Sequence, residues 1–447
     1  MTRKMTEGSP AKLIVLFTIP LVLGNIFQQL YSIADTLIVG RILGINALAA
    51  VGCTASVSSL FLGFVMGITS GLSIITAQRF GAKDYEGVRR SVAVSIWISL
   101  VVTVILTVIS VSFARKILEL MKTPPEIIEQ AYEYIVVIFI GIGATMLFNL
   151  LSNIIRALGD SKRPLIFLVI SSILSIVLDY VFILVWQTGV AGAAWATVIA
   201  QLVAGLLCLG YIRKTLPILQ MKREDFKISR FELHQHLRVA LPIGLQQIII
   251  SIGSVILQFA LNGLGALSVA AFTAAQKIDQ IAGQLMNSFG MTMVTFTAQN
   301  YGAGQVERIR KGVLQCSIIS VSISIIMGLI NIFAGHQLAS VFVGQEATEV
   351  LRLVQIYFMT NSVLYPVLAL LFIFRYTIQG LGRAVMPTVA GIMEFLMRTI
   401  AALFLTAKIG FMGACLASPL AWIGAGIVVV IDYFRVVKGY RQHKETL

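Results

Sequence analysis

Long apolar runs recur along the whole chain, and short polar stretches separate each run from the next. An α-helix needs about 20 residues to cross the hydrocarbon core of a bilayer, and each run reaches that length. The pattern therefore predicts twelve membrane-spanning helices, at residues 13–39, 47–76, 91–113, 132–155, 165–186, 190–212, 239–262, 266–297, 313–334, 351–378, 387–407 and 411–434.

The composition agrees with this pattern. Of the 447 residues, 57% are hydrophobic and 12% are charged, and this charged fraction is about half that of an average soluble protein. Such a chain has too few polar side chains for a soluble surface, which excludes a soluble enzyme, a disordered protein and a nucleic-acid-binding protein. The predicted fold class is an all-α polytopic membrane protein.

The basic residues indicate how the chain is oriented. When successive loops are assigned to alternate sides, 25 of the 34 Lys and Arg residues fall on the side of the two termini and 6 on the other. Since basic residues concentrate in cytoplasmic loops, both termini are predicted to lie in the cytoplasm, with the protein in the cell membrane. The net charge of +14 thus reports orientation, and no nucleic-acid partner is expected.

The second half of the sequence repeats the first. AQRFGA at residues 77–82 recurs as AQNYGA at 298–303, and RALGDSKRP at 156–164 recurs as QGLGRAVMP at 379–387. Both pairs are offset by nearly the same number of residues, so the two halves are related in register over most of their length.

Each repeat contains six predicted helices, an even number, so both halves enter the membrane from the same side. We therefore predict two pseudo-symmetric six-helix bundles: an N-lobe, a cytoplasmic linker and a C-lobe, at residues 1–212, 213–238 and 239–447. Parallel repeats that enclose a cleft are typical of transporters, whereas channels are more often built from subunits around a central axis.

The sequence contains no signature of ATP binding or of catalysis. It has no G-x-x-x-x-G-K-[ST] segment, which would cradle a nucleotide, and no H-E-x-x-H segment or nucleophile-and-base motif. The protein is therefore not expected to be an enzyme or to need a resident cofactor. An ion gradient, carried by Na⁺ or H⁺, is the expected source of energy.

Two carboxylates, Asp35 and Asp179, fall within predicted helices of the first half. A charged side chain at the centre of a membrane helix costs about 2.5 to 3.5 kcal/mol on insertion scales, so its presence indicates a function. Counted from the predicted outer helix ends, Asp35, Asp179 and Thr197 lie roughly 7 to 12 Å deep at 1.5 Å per residue. Oxygen atoms from three helices at one depth predict a site for a proton or a Na⁺ ion.

Helical spacing places further polar residues beside the two carboxylates. Gln28 and Tyr31 share a face of the first helix with Asp35, and Ser175 shares a face of the fifth helix with Asp179. The alternative is a structural role, in which each aspartate hydrogen-bonds a neighbouring helix or, for Asp35, meets water near the interface.

The second half also has charges at membrane depth, namely Lys277, Asp279, Glu394 and Arg398. Glu394 and Arg398 are four residues apart on one helix face, where opposite charges pair. The preferred interpretation is an internal ion-pair network, and the alternative is direct contact with a substrate or an ion. Arg375 is expected to extend towards the cytoplasmic interface.

Three segments carry a resemblance to a known family: ADTLIVGR around Asp35, SIVLDYVFI around Asp179, and the paired AQ-x-[FY]-GA turns. In this order they resemble the multidrug and toxic compound extrusion (MATE) family, in the prokaryotic branch typified by DinF and MepA, over nearly the whole chain. The resemblance implies two lobes in a V shape and the export of organic, often cationic, compounds by alternating access in exchange for Na⁺ or H⁺.

The resemblance also implies roles for single residues. In relatives of this branch, the acids of the cation site match Asp35 and Asp179, a threonine matches Thr197, and an asparagine stands where this chain has Ser175. The shorter serine keeps an oxygen ligand but changes its reach, which leaves the affinity for Na⁺ open.

Substrate-binding and hinge positions follow from the same resemblance. Gln28, Tyr31, Asn149 and Asn153 match residues that line the cavity of the N-lobe, and Pro20 matches a proline at which the first helix bends. The expected partners are a small organic substrate and membrane lipid, and the protein is expected to be a monomer. A flippase for lipid-linked precursors, from the wider superfamily, is the alternative function.

Overall fold

The computed structural model describes residues 4–344 and 346–445, and nearly all of them are helical. Its α-helices, in chain order, are α1 (Pro10–Ile42), α2 (Ile45–Gly81), α3 (Tyr85–Leu120), α4 (Ile128–Ile140), α5 (Ile142–Ala157), α6 (Lys162–Tyr180), α7 (Gly189–Thr215), α8 (Arg230–Asn262), α9 (Ala266–Gly302), α10 (Val306–Val343), α11 (Thr348–Asn361), α12 (Tyr365–Gly380), α13 (Val385–Ile400), α14 (Thr406–Ile409) and α15 (Phe411–Glu445).

These helices confirm the predicted membrane fold. In the part of the chain that the structure describes, ten helical segments are long and apolar enough to cross a membrane, and the pair α4 and α5, bent by 43° at Gly141, makes an eleventh. The twelfth predicted span is α9, which has 37 residues and is long enough to cross. It is more polar than the others because it carries Lys277, Asp279 and several amide side chains.

The two halves share local features as well as helix order. Gly44 and Gly265 each precede the second long helix of a half, and both have a φ of 89°, a left-handed value that favours glycine. A π-helical turn follows α6 at Val181–Val185 and recurs after α13 at Ala401–Leu405. These matching irregularities confirm that the two six-helix halves are pseudo-symmetric.

The chain divides into two compact units, and the division falls inside helices. The first unit contains Ile19–Gly244, and the second contains Met5–Thr18 together with the residues from Leu245 onward. The changes of unit occur in α1 beside Pro20 and in α8 beside Pro242, whereas the sequence placed the linker at residues 213–238. A proline removes one backbone hydrogen bond of a helix. The chain therefore passes from one unit to the other where the hydrogen bonding of the helix is interrupted.

The AQNYGA turn holds the start of α1 within the second unit. The backbone N–H of Met5 donates to Oε1 of Gln299 at 2.9 Å, and Nδ2 of Asn300 donates to the carbonyl of Met5 at 3.1 Å. Further along α1, the hydroxyls of Thr18 and Thr292 hydrogen-bond at 2.7 Å. Gln299 and Asn300 of this motif therefore fix the segment just before α1, and Thr292 contacts α1 itself.

The AQRFGA turn does the same for the start of α8 within the first unit. Arg79 forms an ion pair with Glu232 at 3.2 Å, and the buried ring of His236 hydrogen-bonds Ser91 at 2.8 Å. The backbones of α2 and α8 approach so closely at Gly71 that a Cβ there would lie 2.5 Å from Cα of Ala240. The repeated motifs thus have matching structural roles.

Candidate functional site

Three helices of the first unit bring hydroxyl groups together. The hydroxyl of Tyr31 on α1 hydrogen-bonds the hydroxyl of Thr197 on α7 at 2.7 Å. Oγ of Ser175 on α6 donates to the same tyrosine oxygen at 3.1 Å. The structure therefore joins Tyr31, Ser175 and Thr197 into one cluster, with Tyr31 at its centre.

The two carboxylates lie one helical turn beyond this cluster. Asp179 is completely buried, Asp35 is partly buried, and their carboxyl groups are close enough to share a hydrogen bond. Neither oxygen of Asp179 has a hydrogen-bond donor, and Oδ1 of Asp35 also lacks one. Buried charges are normally paired or bound to an ion, so this pair needs a proton or a cation between its oxygens.

The helix carrying Asp179 is irregular at this point. Asp179 lies in the last turn of α6, directly before the π-helical turn Val181–Val185, and such turns occur often at functional sites. On the far side, Val39, Ile183 and Val190 form a buried apolar cluster. Val39 and Ile183 each lie four residues after a carboxylate, so apolar side chains occupy the next turn of both helical segments.

A pocket opens beside the hydroxyl cluster. Its empty volume is about 280 Å³, including open solvent at its mouth. The sequence predicted four of its lining residues, Gln28, Tyr31, Ser175 and Thr197, and missed five others, Leu168, Ser171, Ser172, Ala200 and Gln201. Ser171 lies four residues before Ser175 and Gln201 four residues after Thr197, so helical spacing could have identified both.

Two residues predicted to bind substrate, Asn149 and Asn153, do not line this pocket. Nδ2 of Asn149 donates to the carbonyl of Thr145 in its own helix at 2.9 Å. Nδ2 of Asn153 donates to Thr69 on α2 at 3.2 Å, and neither asparagine lines the pocket. Their substrate-binding role remains a prediction, as does the hinge at Pro20.

Tyr134 on α4 was missed by the sequence analysis. It packs against the apolar cluster of Val39 and Ile183 and is close enough to interact electrostatically with Asp35, Asp179 and Tyr31. The sequence did not mark it, because Tyr134 shares its helix start with Tyr132 and Glu133 and no spacing related it to the predicted carboxylate site. Its hydroxyl places a further oxygen atom near the carboxylates.

The charged residues that the sequence placed at membrane depth in the second unit do not form one network. Glu394 pairs with Arg398 at 2.9 Å and with Arg375 at 2.6 Å, whereas Asp279 accepts hydrogen bonds from Tyr357 and Tyr365. These contacts join two of the four residues proposed for the network. The other basic member, Lys277, is exposed.

The expectation for Arg375 was wrong. We expected its side chain to extend to the interface, but it is buried and bonded to Glu394. The sequence could not show this pairing, because Glu394 lies on α13 and comes to face α12 only through packing.

A bound Na⁺ ion would need hydroxyl as well as carboxylate ligands. Among residues 4–344 and 346–445, no group of three or more His, Cys, Asp or Glu side chains is placed to hold a metal ion. The pair Asp35 and Asp179 supplies two carboxylates, and the remaining oxygens would come from neighbours such as Tyr31.

Tyr31→Phe is expected to slow export about fivefold, since it removes a hydroxyl that bonds Ser175 and Thr197, and a hydrogen bond contributes about 1 kcal/mol. The measurement is the initial rate of ethidium efflux from cells expressing equal amounts of each variant. Tyr180→Phe, at an exposed tyrosine of α6, is the control. Equal rates for Tyr31→Phe and the wild type would show that the hydroxyl cluster does not support transport.

The fold and the site define a membrane transporter built from two related halves. The family model MatE matches residues 20–181 and 242–404, one match in each half. The chain therefore belongs to the multidrug and toxic compound extrusion (MATE) family, as the sequence motifs indicated.

Similar proteins cover most or all of the chain. The probable multidrug resistance protein YoeA of Bacillus subtilis is 28% identical over 98% of this chain and 96% of its own length. YpnP of the same organism, also a probable multidrug resistance protein, is 31% identical over 68% of each chain. The multidrug export protein MepA of Staphylococcus saprophyticus is 23% identical over 84% of each.

Solved structures show the same fold. A MATE transporter in the bent conformation is 27% identical, with a TM-score of 0.91 over 99% of both chains. A multidrug resistance MATE transporter in an outward-facing conformation is 26% identical, with a TM-score of 0.91 over 98% of both chains. The names of these relatives favour drug export over the lipid-precursor flippase.

Proposed function

We propose that this protein is a cation-coupled antiporter that exports organic, often cationic, compounds across the cell membrane by alternating access, with both termini in the cytoplasm. The observation that carries the proposal is the pair Asp35 and Asp179, whose buried oxygens lack hydrogen-bond donors. The relatives named as multidrug export or resistance proteins support drugs as the substrate class.

In the proposed cycle, the carboxylate pair binds either the drug or the coupling ion. A proton or Na⁺ that enters from outside binds between Asp35 and Asp179 and cancels one of their two negative charges, so the attraction of the site for a cationic drug falls. The drug leaves, and the transporter returns to the inward-facing state carrying the ion. A membrane potential contributes about 2.3 kcal/mol per charge per 100 mV, so an exchange that moves net positive charge inward drives export.

The test is drug efflux from proteoliposomes under separately imposed Na⁺ and H⁺ gradients. Export driven by at least one inward cation gradient is the expected result, and the gradient that works identifies the ion. Transport that continues equally well with neither gradient, or that only ATP supports, would contradict the proposal.

Ser175→Asn is expected to increase the Na⁺ dependence of export. Ser175 is 1% exposed and lies one turn before Asp179, so a longer side chain would extend an amide oxygen towards the carboxylates. Ser175→Ala removes the oxygen and is expected to shift the response in the opposite direction. The measurement is the efflux rate against external Na⁺ at fixed pH, and an unchanged Na⁺ response in both variants would show that Ser175 is not a ligand.

A further inference from the structure

The second unit contains a buried group of charges that do not sum to zero. Arg375 on α12 and Glu394 and Arg398 on α13 are 5%, 5% and 6% exposed. Each arginine donates to a different oxygen of Glu394. Because arginine remains charged in proteins, one carboxylate balances two guanidinium groups, and one positive charge is in excess.

This excess charge lies near the middle of a membrane span. Arg398 is in the last turn of α13, and the helical segment continues beyond it to Ile409. A charge at this depth is costly unless a partner neutralises it. The cluster therefore lacks one negative charge at a depth where an unpaired positive charge is most costly in free energy.

Both arginines also have unused hydrogen-bond donors. Nε of Arg375 and Nε of Arg398 are buried and have no partner. One turn after Arg375, the buried Gln379 donates to Gln246 at 3.1 Å. The surroundings are polar. The two Nε donors need an acceptor that the described side chains do not supply.

Other acids of this unit do not supply the missing charge by direct contact. Asp279 accepts hydrogen bonds from two tyrosines, of which Tyr365 lies ten residues before Arg375 on α12, or about 15 Å along the helix axis. Asp432 on α15 is buried but forms no ion pair within the described contacts, and its Oδ2 has no partner.

Arg398 contacts an exposed residue of α8. Nη1 of Arg398 donates to Oγ of Ser254 on α8 at 3.3 Å, and Ser254 is exposed. The preceding residue is Gly253, whose missing side chain leaves the guanidinium bordered by backbone. A ligand bound at Ser254 would therefore lie beside the guanidinium group of Arg398.

We propose that Arg375 and Arg398 form a binding site in the second unit for an oxyanion, a carboxylate or a phosphate, carried by an amphiphilic molecule. The apolar part of this molecule would lie against Ile252 and Val255, which are exposed beside Ser254. The negative charge of the oxyanion, together with that of Glu394, balances the two guanidinium groups. Its oxygens accept hydrogen bonds from the unused guanidinium donors, as planar oxyanions commonly do with arginine. A free amphiphile is favoured over a lipid, because lipid headgroups lie at the interface and not at this depth. The site lies in the second unit, whereas Asp179 lies in the first.

Binding of laurate to the purified full-length protein in uncharged detergent tests this site, with methyl laurate as the uncharged probe. Arg398→Gln leaves the neutral pair of Arg375 and Glu394 and is expected to weaken laurate binding about tenfold. Glu394→Gln leaves two unpaired arginines and is expected to tighten binding several-fold. A purely structural role would lower the melting temperature of both variants without these opposite changes in Kd.

Further variants and a second probe complete the test. Arg398→Lys keeps the charge but loses the guanidinium donors, so it is expected to bind laurate several-fold more weakly than wild type. It replaces Arg398→Gln in the comparison if that variant does not fold. Arg352→Gln, at an arginine of the same unit that is 73% exposed, is expected to change nothing. The second arm measures binding of a lipid to the protein in nanodiscs, with the anionic phosphatidylglycerol as the probe and the zwitterionic phosphatidylcholine as its control.

The two arms distinguish the source of the oxyanion. Opposite shifts with laurate identify a free amphiphile, and opposite shifts with phosphatidylglycerol alone identify a lipid headgroup. If neither probe gives opposite shifts in Arg398→Gln and Glu394→Gln, the site does not exist.

Discussion

Asp179→Asn is expected to abolish coupled drug export while the protein still folds and reaches the membrane. The amide has nearly the shape of the carboxyl group, but it neither carries a negative charge nor takes up a proton. Asp179 is completely buried and its two oxygens lack donors, so the change removes the charge that binds the cation, while the amide can still hydrogen-bond the carboxyl group of Asp35. The measurements are drug resistance and ethidium efflux in an efflux-deficient host, at matched expression.

Asp35→Asn is expected to give the same loss, since both carboxylates are needed to hold one cation. Asp432→Asn is the matched control, because Asp432 is also a buried aspartate with an unpaired oxygen, but it lies on α15 in the second unit. It should retain export. Full resistance in both Asp35→Asn and Asp179→Asn would remove the proposed coupling site.

Gly71→Leu is expected to prevent formation of the folded transporter. Gly71 lies where α2 meets the start of α8, and even a Cβ atom there would be 2.5 Å from Cα of Ala240. Backbone cannot move aside as a flexible side chain can, so the cost exceeds the roughly 1 to 3 kcal/mol typical of an overpacked core. The measurement is the yield of monodisperse protein after detergent extraction, together with its melting temperature.

Gly52→Leu provides the control on the same helix. A Cβ at Gly52 meets nothing within 4 Å, and leucine favours a helix over glycine by about 0.5 to 1 kcal/mol, so this variant should fold at least as well as the wild type. Wild-type yield and melting temperature in Gly71→Leu would mean that α2 and α8 do not pack as described.

The helices could be predicted because each depends on its own sequence. The apolar runs fixed all twelve predicted segments, and the structure extends most of them by several residues at their polar ends. The pattern overlooked breaks that depend on packing, such as the turn at Gly141 and the one at Ser362–Leu364. An apolar run shows that a segment is buried in lipid, but it does not show where the segment bends.

The candidate site was predictable where helical spacing relates its residues. Gln28 and Tyr31 lie on one face of α1, and Ser175 and Asp179 on one face of α6, so depth and periodicity placed them near one another. Tyr134 carried no such signal. Its position beside the carboxylates depends on how α4 packs against other helices, which no local pattern encodes.

The sequence by itself determined the membrane fold and the two related halves, because hydrophobicity and helical periodicity act within each segment. Only the tertiary structure decided which unit holds the start of α1, that Arg375 pairs with Glu394, and that Asp279 bonds two tyrosines in place of Lys277. These contacts join residues far apart in the chain, and their geometry is set by the packing of helices against one another.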